Sequence, residues 1–248
     1  MPAPPPCLIL TRPQQDSQRF SVAARAYGWA GDILIAPLLE ITLLPPPEAE
    51  LARARSLVFT SQHGVAALAA ATTRRDWPVW AVGPRTAQAA QAAGFATVYE
   101  AGGDAEALLK DLAQTPPPGP VLHMRGTHAA ADIAQALQAL GQQAEALVAY
   151  AQVACPFSPA ALARLAAGGV VVLPVFSPRS AQLLAQALAG LPAGRRQLFP
   201  IAISAAAAAP LDELGLQPCM IAARPDMPSM RAALIATQAK LEPWAKPR

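Results

Sequence analysis

The sequence predicts an α/β fold of two similar parallel-sheet domains, one inserted in the other and joined by a two-stranded β-ladder hinge. Three observations predict it. Short β-prone runs alternate with alanine-rich helical runs along the 248 residues, and parallel strands need a crossover such as a helix. The runs form two matching sets, which is typical of duplicated domains. One set is continuous, whereas the other is split between the two ends of the chain.

Ten short apolar runs predict strands, and most are separated by residues that favour a helix. The predicted strands are 7–11, 33–36, 56–60, 79–82, 97–100, 121–124, 146–153, 170–176, 200–204 and 219–223. The predicted helices include 65–71, 86–93, 105–113, 129–140, 160–167, 180–188 and 229–240. Because so many strands would make an unusually large open sheet, we expect two sheets.

Equal intervals between matching residues define the internal repeat. Arg12 precedes Gly28 by the same interval that separates Arg125 from Gly141, and both arginines follow a predicted strand. Likewise, Gly83 precedes Gly94 by the same interval that separates Ser204 from Gly215. An inserted domain, with the chain crossing twice between domains, accounts for the order of these units.

This repeat sets the predicted domain boundaries. Residues 1–36 and 154–248 form the discontinuous first domain, and residues 45–146 form the inserted second domain. Residues 37–44 and 147–153 are β-prone, and we expect them to pair antiparallel as linker strands.

Composition excludes several classes of protein. Charged residues make up 14% of the chain and hydrophobic residues 53%, which is typical of a globular protein rather than a disordered one. No run is apolar over the roughly 18 residues that a membrane-spanning helix needs. The proline-rich N-terminus does not resemble a secretion signal. We therefore expect a cytoplasmic protein without a membrane partner.

Charge and cysteine content narrow the ligand class. The net charge is +3, but the basic residues are scattered and aromatic residues make up 5%, so a nucleic-acid partner is not expected and an anionic small molecule fits better. Cys7, Cys155 and Cys219 are widely spaced and odd in number, which favours reduced thiols over disulfides or a zinc site. No glycine-rich nucleotide-binding motif occurs, so a nucleotide-dependent enzyme is not favoured. We expect no cofactor and no metal.

Seven segments, in this order and spacing, resemble the uroporphyrinogen-III synthase family. They are Thr11-Arg12-Pro13, Ala36-Pro37-Leu38-Leu39-Glu40-Ile41, Val58-Phe59-Thr60-Ser61-Gln62-His63-Gly64-Val65, Ala81-Val82-Gly83-Pro84-Arg85-Thr86-Ala87, Arg125-Gly126, Tyr150 and Phe176-Ser177-Pro178-Arg179-Ser180-Ala181. Together they cover nearly the whole chain. The resemblance implies two α/β domains joined by a two-stranded ladder, which is the same organisation that the internal repeat predicts.

The resemblance implies a cofactor-free ring closure. Enzymes of this family take hydroxymethylbilane, a linear tetrapyrrole octacarboxylate, and remove its hydroxyl as water. They then close the macrocycle with inversion of ring D to give uroporphyrinogen III, the precursor of haem, sirohaem and cobalamin. A lyase of this kind, acting as a monomer on a small molecule, is the expected function.

The carboxyl ends of the strands are where we expect the polyanionic substrate to bind. Ligands of open α/β sheets bind at the carboxyl ends of strands, where helix N-termini offer free N–H groups to anions. The expected substrate-binding residues are Arg12, Ser61, Gln62, Gly64, Gly83, Thr86, Arg125, Gly126, Ser177, Pro178, Arg179 and Ser204. The alternative for the three serines, and for Thr86, is that they only cap their helices.

Tyr150 is the expected catalytic residue. It lies in the middle of the returning linker, where we expect the cleft between domains, and the family has a tyrosine at this motif position. Its hydroxyl can bind a carboxylate or act as a general acid that helps the substrate hydroxyl leave. The alternative is a tyrosine that only packs between the domains.

Two positions depart from the family pattern. Ala207 stands where the repeat and the family predict a hydroxyl residue, so Ser204 or the backbone must serve there. His63 stands where the family commonly has Asn or Ser, which favours hydrogen bonding at the start of a helix over catalysis. The alternative function for the whole chain is a hinged two-domain binding protein that closes on an anionic ligand without chemistry.

Overall fold

The computed structural model describes residues 4–128, 131–192, 196–214 and 219–245, with side chains of the last helix described as far as Leu241. Its elements are β1 (Cys7–Leu10), α1 (Gln14–Ala26), β2 (Asp32–Ile35), β3 (Leu39–Leu43), α2 (Glu48–Arg53), β4 (Ser56–Phe59), α3 (Gln62–Ala71), β5 (Val79–Ala81), α4 (Pro84–Ala92), β6 (Val98–Glu100), α5 (Ala105–Gln114), β7 (Val121–Gly126), α6 (Ile133–Ala139), β8 (Ala144–Ala154), α7 (Pro159–Ala166), β9 (Gly169–Val175), α8 (Pro178–Ala189), β10 (Arg196–Ala202), α9 (Ala205–Asp212), β11 (Met220–Ile221) and α10 (Met227–Ala245).

The chain divides into two compact units. Unit 1 comprises Met1–Glu40 and Ala154–Arg248, and unit 2 comprises Ile41–Val153. Each unit contains a sheet whose strands are parallel and joined by helices, except that β3 is added to the edge of the unit 2 sheet beside β8. The expected fold class, two α/β domains with one inserted in the other, is confirmed.

Unit 1 has a five-stranded sheet in the order β11-β10-β9-β1-β2, and every paired strand is parallel. All four residues of β1 are buried, as expected for a parallel strand covered on both faces. Because side chains alternate along a strand, Ile9 packs in one core with Leu184 of α8. Leu8 packs in the opposite core with Phe20 of α1.

Unit 2 has a six-stranded sheet in the order β3-β8-β7-β4-β5-β6. The same alternation builds its two cores. Phe59 of β4 packs with Leu68 of α3 on one face, whereas Val58 packs with Leu108 of α5 and Ile133 of α6 on the other. The alanine-rich helices of the sequence thus cover both faces of the parallel sheets.

The two predicted linker segments correspond to β3 and β8, which are neighbours in the unit 2 sheet. The Leu44 N–H donates to the Ala149 carbonyl at 2.8 Å, and the Cys155 N–H donates to the Leu38 carbonyl at 3.1 Å. The order of these two bonds along the chain is that of an antiparallel pair. The use of this pair as a hinge, and the exact domain boundaries, remain predictions.

Strand order reverses once in each sheet. In unit 2, β5 and β6 lie on one side of β4 while β7 and β8 lie on the other. In unit 1 the reversal falls between β1 and β9. Such reversal points leave a crevice outside the carboxyl ends of the two strands, and ligands bind there in open α/β sheets.

Several predicted elements differ at their ends. Helix α6 begins only at Ile133, because the Asp132 side chain accepts a hydrogen bond from the Gln135 N–H and so fixes the N-cap. The predicted start of that helix at 129–130 lies outside the described residues, as does Gly215 of the repeat.

Two strands near the C-terminus also differ. Strand β10 begins four residues before the predicted position and ends at Ala202, since Ser204 is already the N-cap of α9. Strand β11 contains only two residues, both paired with β10. Among the described helices, none is both long enough and apolar enough to cross a membrane.

Candidate active site

Ser61 begins the helix that follows β4 in the unit 2 crevice. Its side-chain oxygen accepts a hydrogen bond from the His63 N–H at 3.3 Å, and its carbonyl accepts one from the Gly64 N–H at 3.1 Å. Ser61 is therefore the N-cap of α3, as the capping alternative predicts. Gln62 is the first residue of the helix and is partly exposed beside this turn.

Gly64 lets the first turn of α3 approach β7. A Cβ atom at this position would lie 2.9 Å from the carbonyl oxygen of Met124 and 3.1 Å from the ring of Phe59. Neither a backbone oxygen nor a buried ring can move away cheaply, so a side chain would push the helix off the strand. The structure gives Gly64 a packing role, and substrate contact by this residue remains a prediction.

A β-bulge brings Tyr150 beside Gly126. Arg125 of β7 pairs with Val148, but the next residue, Gly126, pairs with Tyr150, so Ala149 is the extra residue on β8. A Cβ atom on Gly126 would lie only 2.7 Å from two ring carbons of Tyr150 and 3.0 Å from its hydroxyl oxygen. The phenol ring therefore occupies space that glycine alone leaves open.

His63 contacts the same phenol ring. The two ring centroids are 5.4 Å apart and the planes are inclined by 57°, within the range of favourable aromatic pairs. Tyr150 is 6% exposed. Helix α3, strand β7 and strand β8 thus meet at His63, Gly126 and Tyr150. The sequence indicated the second and third of these residues but assigned His63 only to the start of the helix.

Arg125 supplies positive charge to this crevice. The side chain is partly buried, and its Nη1 donates to the Gly126 carbonyl at 3.2 Å. The guanidinium thus lies at the carboxyl end of β7, where the sequence predicted a carboxylate partner. Carboxylates pair with guanidinium groups through strong charge-assisted hydrogen bonds.

Gly83 and Thr86 follow β5, one strand further from the reversal point. A Cβ atom on Gly83 would lie 3.1 Å from the Cα of Gly103, so this turn is packed against the turn before α5. Helix α4 begins after Gly83 without a side-chain cap, and Thr86 is buried in its first turn. The capping role considered for Thr86 is therefore absent, and its contact with substrate remains a prediction.

In unit 1, Arg12 lies over the ring of Phe176 at the reversal point between β1 and β9. The guanidinium carbon is 4.4 Å from the ring centroid, which is a cation–π contact. The Arg12 Nη2 is also 3.4 Å from a carboxylate oxygen of Asp16. The ring of Phe176, to which the sequence pattern assigned no role, thus orients this arginine at the strand ends.

The two predicted serines of unit 1 are also helix caps. Ser177 accepts a hydrogen bond from the Ser180 N–H at 3.2 Å, and Ser204 accepts one from the Ala207 N–H at 3.3 Å. Pro178 occupies the first position of α8, where proline is favoured because it has no N–H to satisfy. Arg179 follows it and is partly buried.

His123 is a buried residue that the sequence did not assign to the site. It is 0% exposed, and its Nε2 lies 3.4 Å from the hydroxyl of Thr60 at the end of β4. Burial, with a smaller contribution from the positive charge of Arg125, lowers the pKa of His123 from 6.5 to about 4. The ring is therefore neutral at neutral pH.

The three cysteine thiols are free in the structure. Burial raises the pKa of each, and that of Cys219 reaches about 11. Such thiols are protonated at neutral pH and are poor nucleophiles. In the described part of the chain, no group of three or more His, Cys, Asp or Glu side chains is arranged to hold a metal ion.

The structure is thus that of a two-unit α/β protein, in which polar residues follow the strands that flank the reversal point of each sheet. The family model described as uroporphyrinogen-III synthase HemD matches residues 18–232. The chain therefore belongs to the uroporphyrinogen-III synthase family. The search among curated proteins gives no match.

Solved structures of this family have the same fold. The uroporphyrinogen-III synthetase from Helicobacter pylori 26695 aligns over 98% of this chain and 100% of its own, at 18% identity and a TM-score of 0.63. A mutant uroporphyrinogen III synthase from the extremely thermophilic bacterium Thermus thermophilus aligns over 96% of this chain and 99% of its own, at 17% identity and a TM-score of 0.50.

The buried ring of His123 predicts loss of stability in acid. Its lowered folded-state pKa means that its contribution to stability is fully present above pH 6.5 and is lost as the pH falls toward about 4. Within that window the free energy of unfolding should fall by up to about 1.4 kcal/mol per pH unit because of this residue. We expect His123→Gln, which is not protonated in this range, to flatten that part of the profile.

Urea unfolding between pH 7 and 4, followed by tryptophan fluorescence, tests this. The exposed His128 provides the control, because His128→Gln should leave the wild-type pH dependence unchanged. Identical profiles for the wild type and His123→Gln would show that His123 does not cause the acid sensitivity.

Proposed function

We propose that this chain catalyses the cyclisation of hydroxymethylbilane to uroporphyrinogen III, as a lyase that removes water and inverts ring D. The observation that carries the proposal is the family match over residues 18–232. It does not favour the alternative of a binding protein without catalysis. Action in the cytoplasm, as a monomer and without a cofactor or metal, belongs to the same proposal.

The chemistry requires positioning more than a strong nucleophile. Loss of the substrate hydroxyl as water leaves an azafulvene cation, and the unassisted bilane already closes to the isomer without inversion. The protein has to hold the chain so that the last pyrrole closes through a spiro intermediate instead. Fixed geometry can supply up to ~7–11 kcal/mol in ideal intramolecular cases. Rigid strand ends are suited to this task.

Backbone groups and arginines at the strand ends are suited to the eight substrate carboxylates. The N-cap residues of α1 and α4, Pro13 and Gly83, make no side-chain cap hydrogen bond, so the backbone N–H groups at these helix starts are suited to an anionic ligand. A helix N-terminus contributes ~0.3–1 kcal/mol toward a nearby anion, so several are needed together. Arg12 and Arg125 add guanidinium groups at the reversal points, and we assign them to carboxylate pairing.

We assign Tyr150 as the general acid for water loss. Its ring lies in the middle of β8 and contacts Gly126 at the carboxyl end of β7, next to Arg125. A phenol O–H is a proton donor, and donation of its proton to the departing hydroxyl would assist formation of the azafulvene cation. The ring is 6% exposed and lies between the imidazole of His63 and the backbone of Gly126.

Product analysis tests the proposed function. Purified protein is added to freshly generated hydroxymethylbilane, and the product isomers are separated. We expect accelerated consumption of the bilane and isomer III as the main product. Isomer I alone, formed at the uncatalysed rate, would refute the synthase proposal, and tight uptake of the bilane without turnover would instead support the binding-protein alternative.

Tyr150→Phe tests the catalytic assignment. This change removes one oxygen and keeps the ring packing, so we expect the fold to be retained and kcat to fall by at least about tenfold, since positioned proton transfer is worth roughly 10²–10⁴-fold. The matched control is Tyr99→Phe, because Tyr99 lies on the edge strand β6 and is exposed. Wild-type kcat in Tyr150→Phe would remove this hydroxyl from the mechanism.

A further inference from the structure

We propose that His63 is a positioning residue, which together with Gly126 holds the phenol of Tyr150 in the orientation used for turnover. The inference rests on the proposed function for its kinetic consequences. The contacts that carry it lie within unit 2.

Gly126 defines one side of the space that the phenol occupies. A Cβ atom there would meet two ring carbons at 2.7 Å, a distance that real Cβ atoms essentially never show, and the hydroxyl oxygen at 3.0 Å. The hydroxyl end of Tyr150, and not only the ring, therefore lies against the backbone of β7. This contact limits how far the phenol can move toward the strand.

His63 lies against the same ring from helix α3. The two rings are inclined by 57° with centroids 5.4 Å apart. A tilted aromatic pair has a preferred geometry, since the edge of one ring is attracted to the face of the other. The imidazole of His63 therefore restricts the ring of Tyr150 from one direction. Gly126 restricts it from another, because its lack of a side chain brings the ring directly against the backbone of β7.

The backbone that carries His63 is itself fixed. Its N–H donates to the Ser61 side chain at 3.3 Å, which locks the residue into the cap of α3. The next residue, Gly64, packs against the Met124 carbonyl of β7. Because α3 is anchored on the same strand that Tyr150 contacts, the Cα of His63 cannot shift relative to Tyr150 without disturbing the first turn of the helix.

This arrangement predicts a specific kinetic defect. Loss of the imidazole ring would let the phenol rotate away from the departing hydroxyl while the carboxylate contacts at other strand ends persist. We therefore expect His63→Ala to lower kcat by about fivefold or more, with KM changed less than about twofold, which is the pattern for an interaction made in the transition state. His63→Phe keeps a ring at this position and should restore most of the lost turnover.

A double-mutant comparison with Tyr150→Phe distinguishes a positioning role of His63 from a general structural role. In the Tyr150→Phe background there is no hydroxyl to orient, so adding His63→Ala should cause little further loss of kcat. A residue that merely stabilises the fold would cost the same in both backgrounds. His63→Asn, which keeps a polar side chain at the helix start, is the second ring-deleting variant and should behave like His63→Ala. His128→Ala is the surface control.

A readout without substrate tests the contact directly. The chain contains three tyrosines, so labelling with [ζ-¹³C]tyrosine gives three signals, and Tyr150→Phe identifies one of them. We expect that signal to shift in His63→Ala and His63→Asn and to stay near its wild-type position in His63→Phe. The NMR measurement tests the contact between His63 and Tyr150 even if the protein forms no isomer III. Absence of isomer III would refute the proposed function but not this contact.

Two results would overturn the inference. One is an unchanged Tyr150 signal and unchanged kcat in folded His63→Ala and His63→Asn. The other is a loss of turnover in His63→Phe as large as in His63→Ala, because the imidazole nitrogens rather than the ring would then matter. Circular dichroism establishes that each variant is folded before either comparison is made.

Discussion

The close approach of α3 and Tyr150 to strand β7 is the constraint on which the candidate site depends. It is possible only because Gly64 and Gly126 have no side chains, with neighbours at 2.9 and 2.7 Å from where a Cβ atom would lie. The first glycine sets the helix against the strand, and the second leaves room for the phenol. The cap at Ser61 and the ring of His63, both on the first turn of α3, are brought to β7 by the first of these contacts, and Tyr150 by the second.

The electrostatics of the strand ends follow from the same packing. A parallel sheet covered on both faces leaves its charged and polar groups at the strand ends, and here these groups include arginines, capped helix starts and the starts of α1 and α4, whose N-cap residues make no side-chain cap. Since each helix terminus is worth ~0.3–1 kcal/mol to an anion, the mechanism proposed for this chain requires many weak contacts in a fixed pattern to hold a flexible polyacid. Such a pattern orients a substrate without a large basic patch, in keeping with a net charge of only +3.

The sequence allowed prediction of the fold because most strand residues are apolar and the intervening helices are rich in alanine. Element ends were less accurate wherever a single cap decides them, as at Asp132 and Ser204. Tyr150 and Gly126 could be identified one at a time from the family pattern. The contact between these two residues could not be predicted, because it depends on the bulge at Ala149 in the pairing of β7 with β8. The positions of His63 and His123 likewise depend on packing between residues far apart in sequence.

The carboxyl ends of the strands form the ligand surface in the mechanism proposed for this chain. Backbone amide NMR of the protein, with and without uroporphyrinogen III under anaerobic conditions, tests this most directly. We predict that the largest shifts fall on the amides just after β1, β4, β7 and β9, while those at the amino ends of the same strands stay in place. Shifts confined to the amino ends, or to surfaces away from both reversal points, would contradict this placement of the ligand.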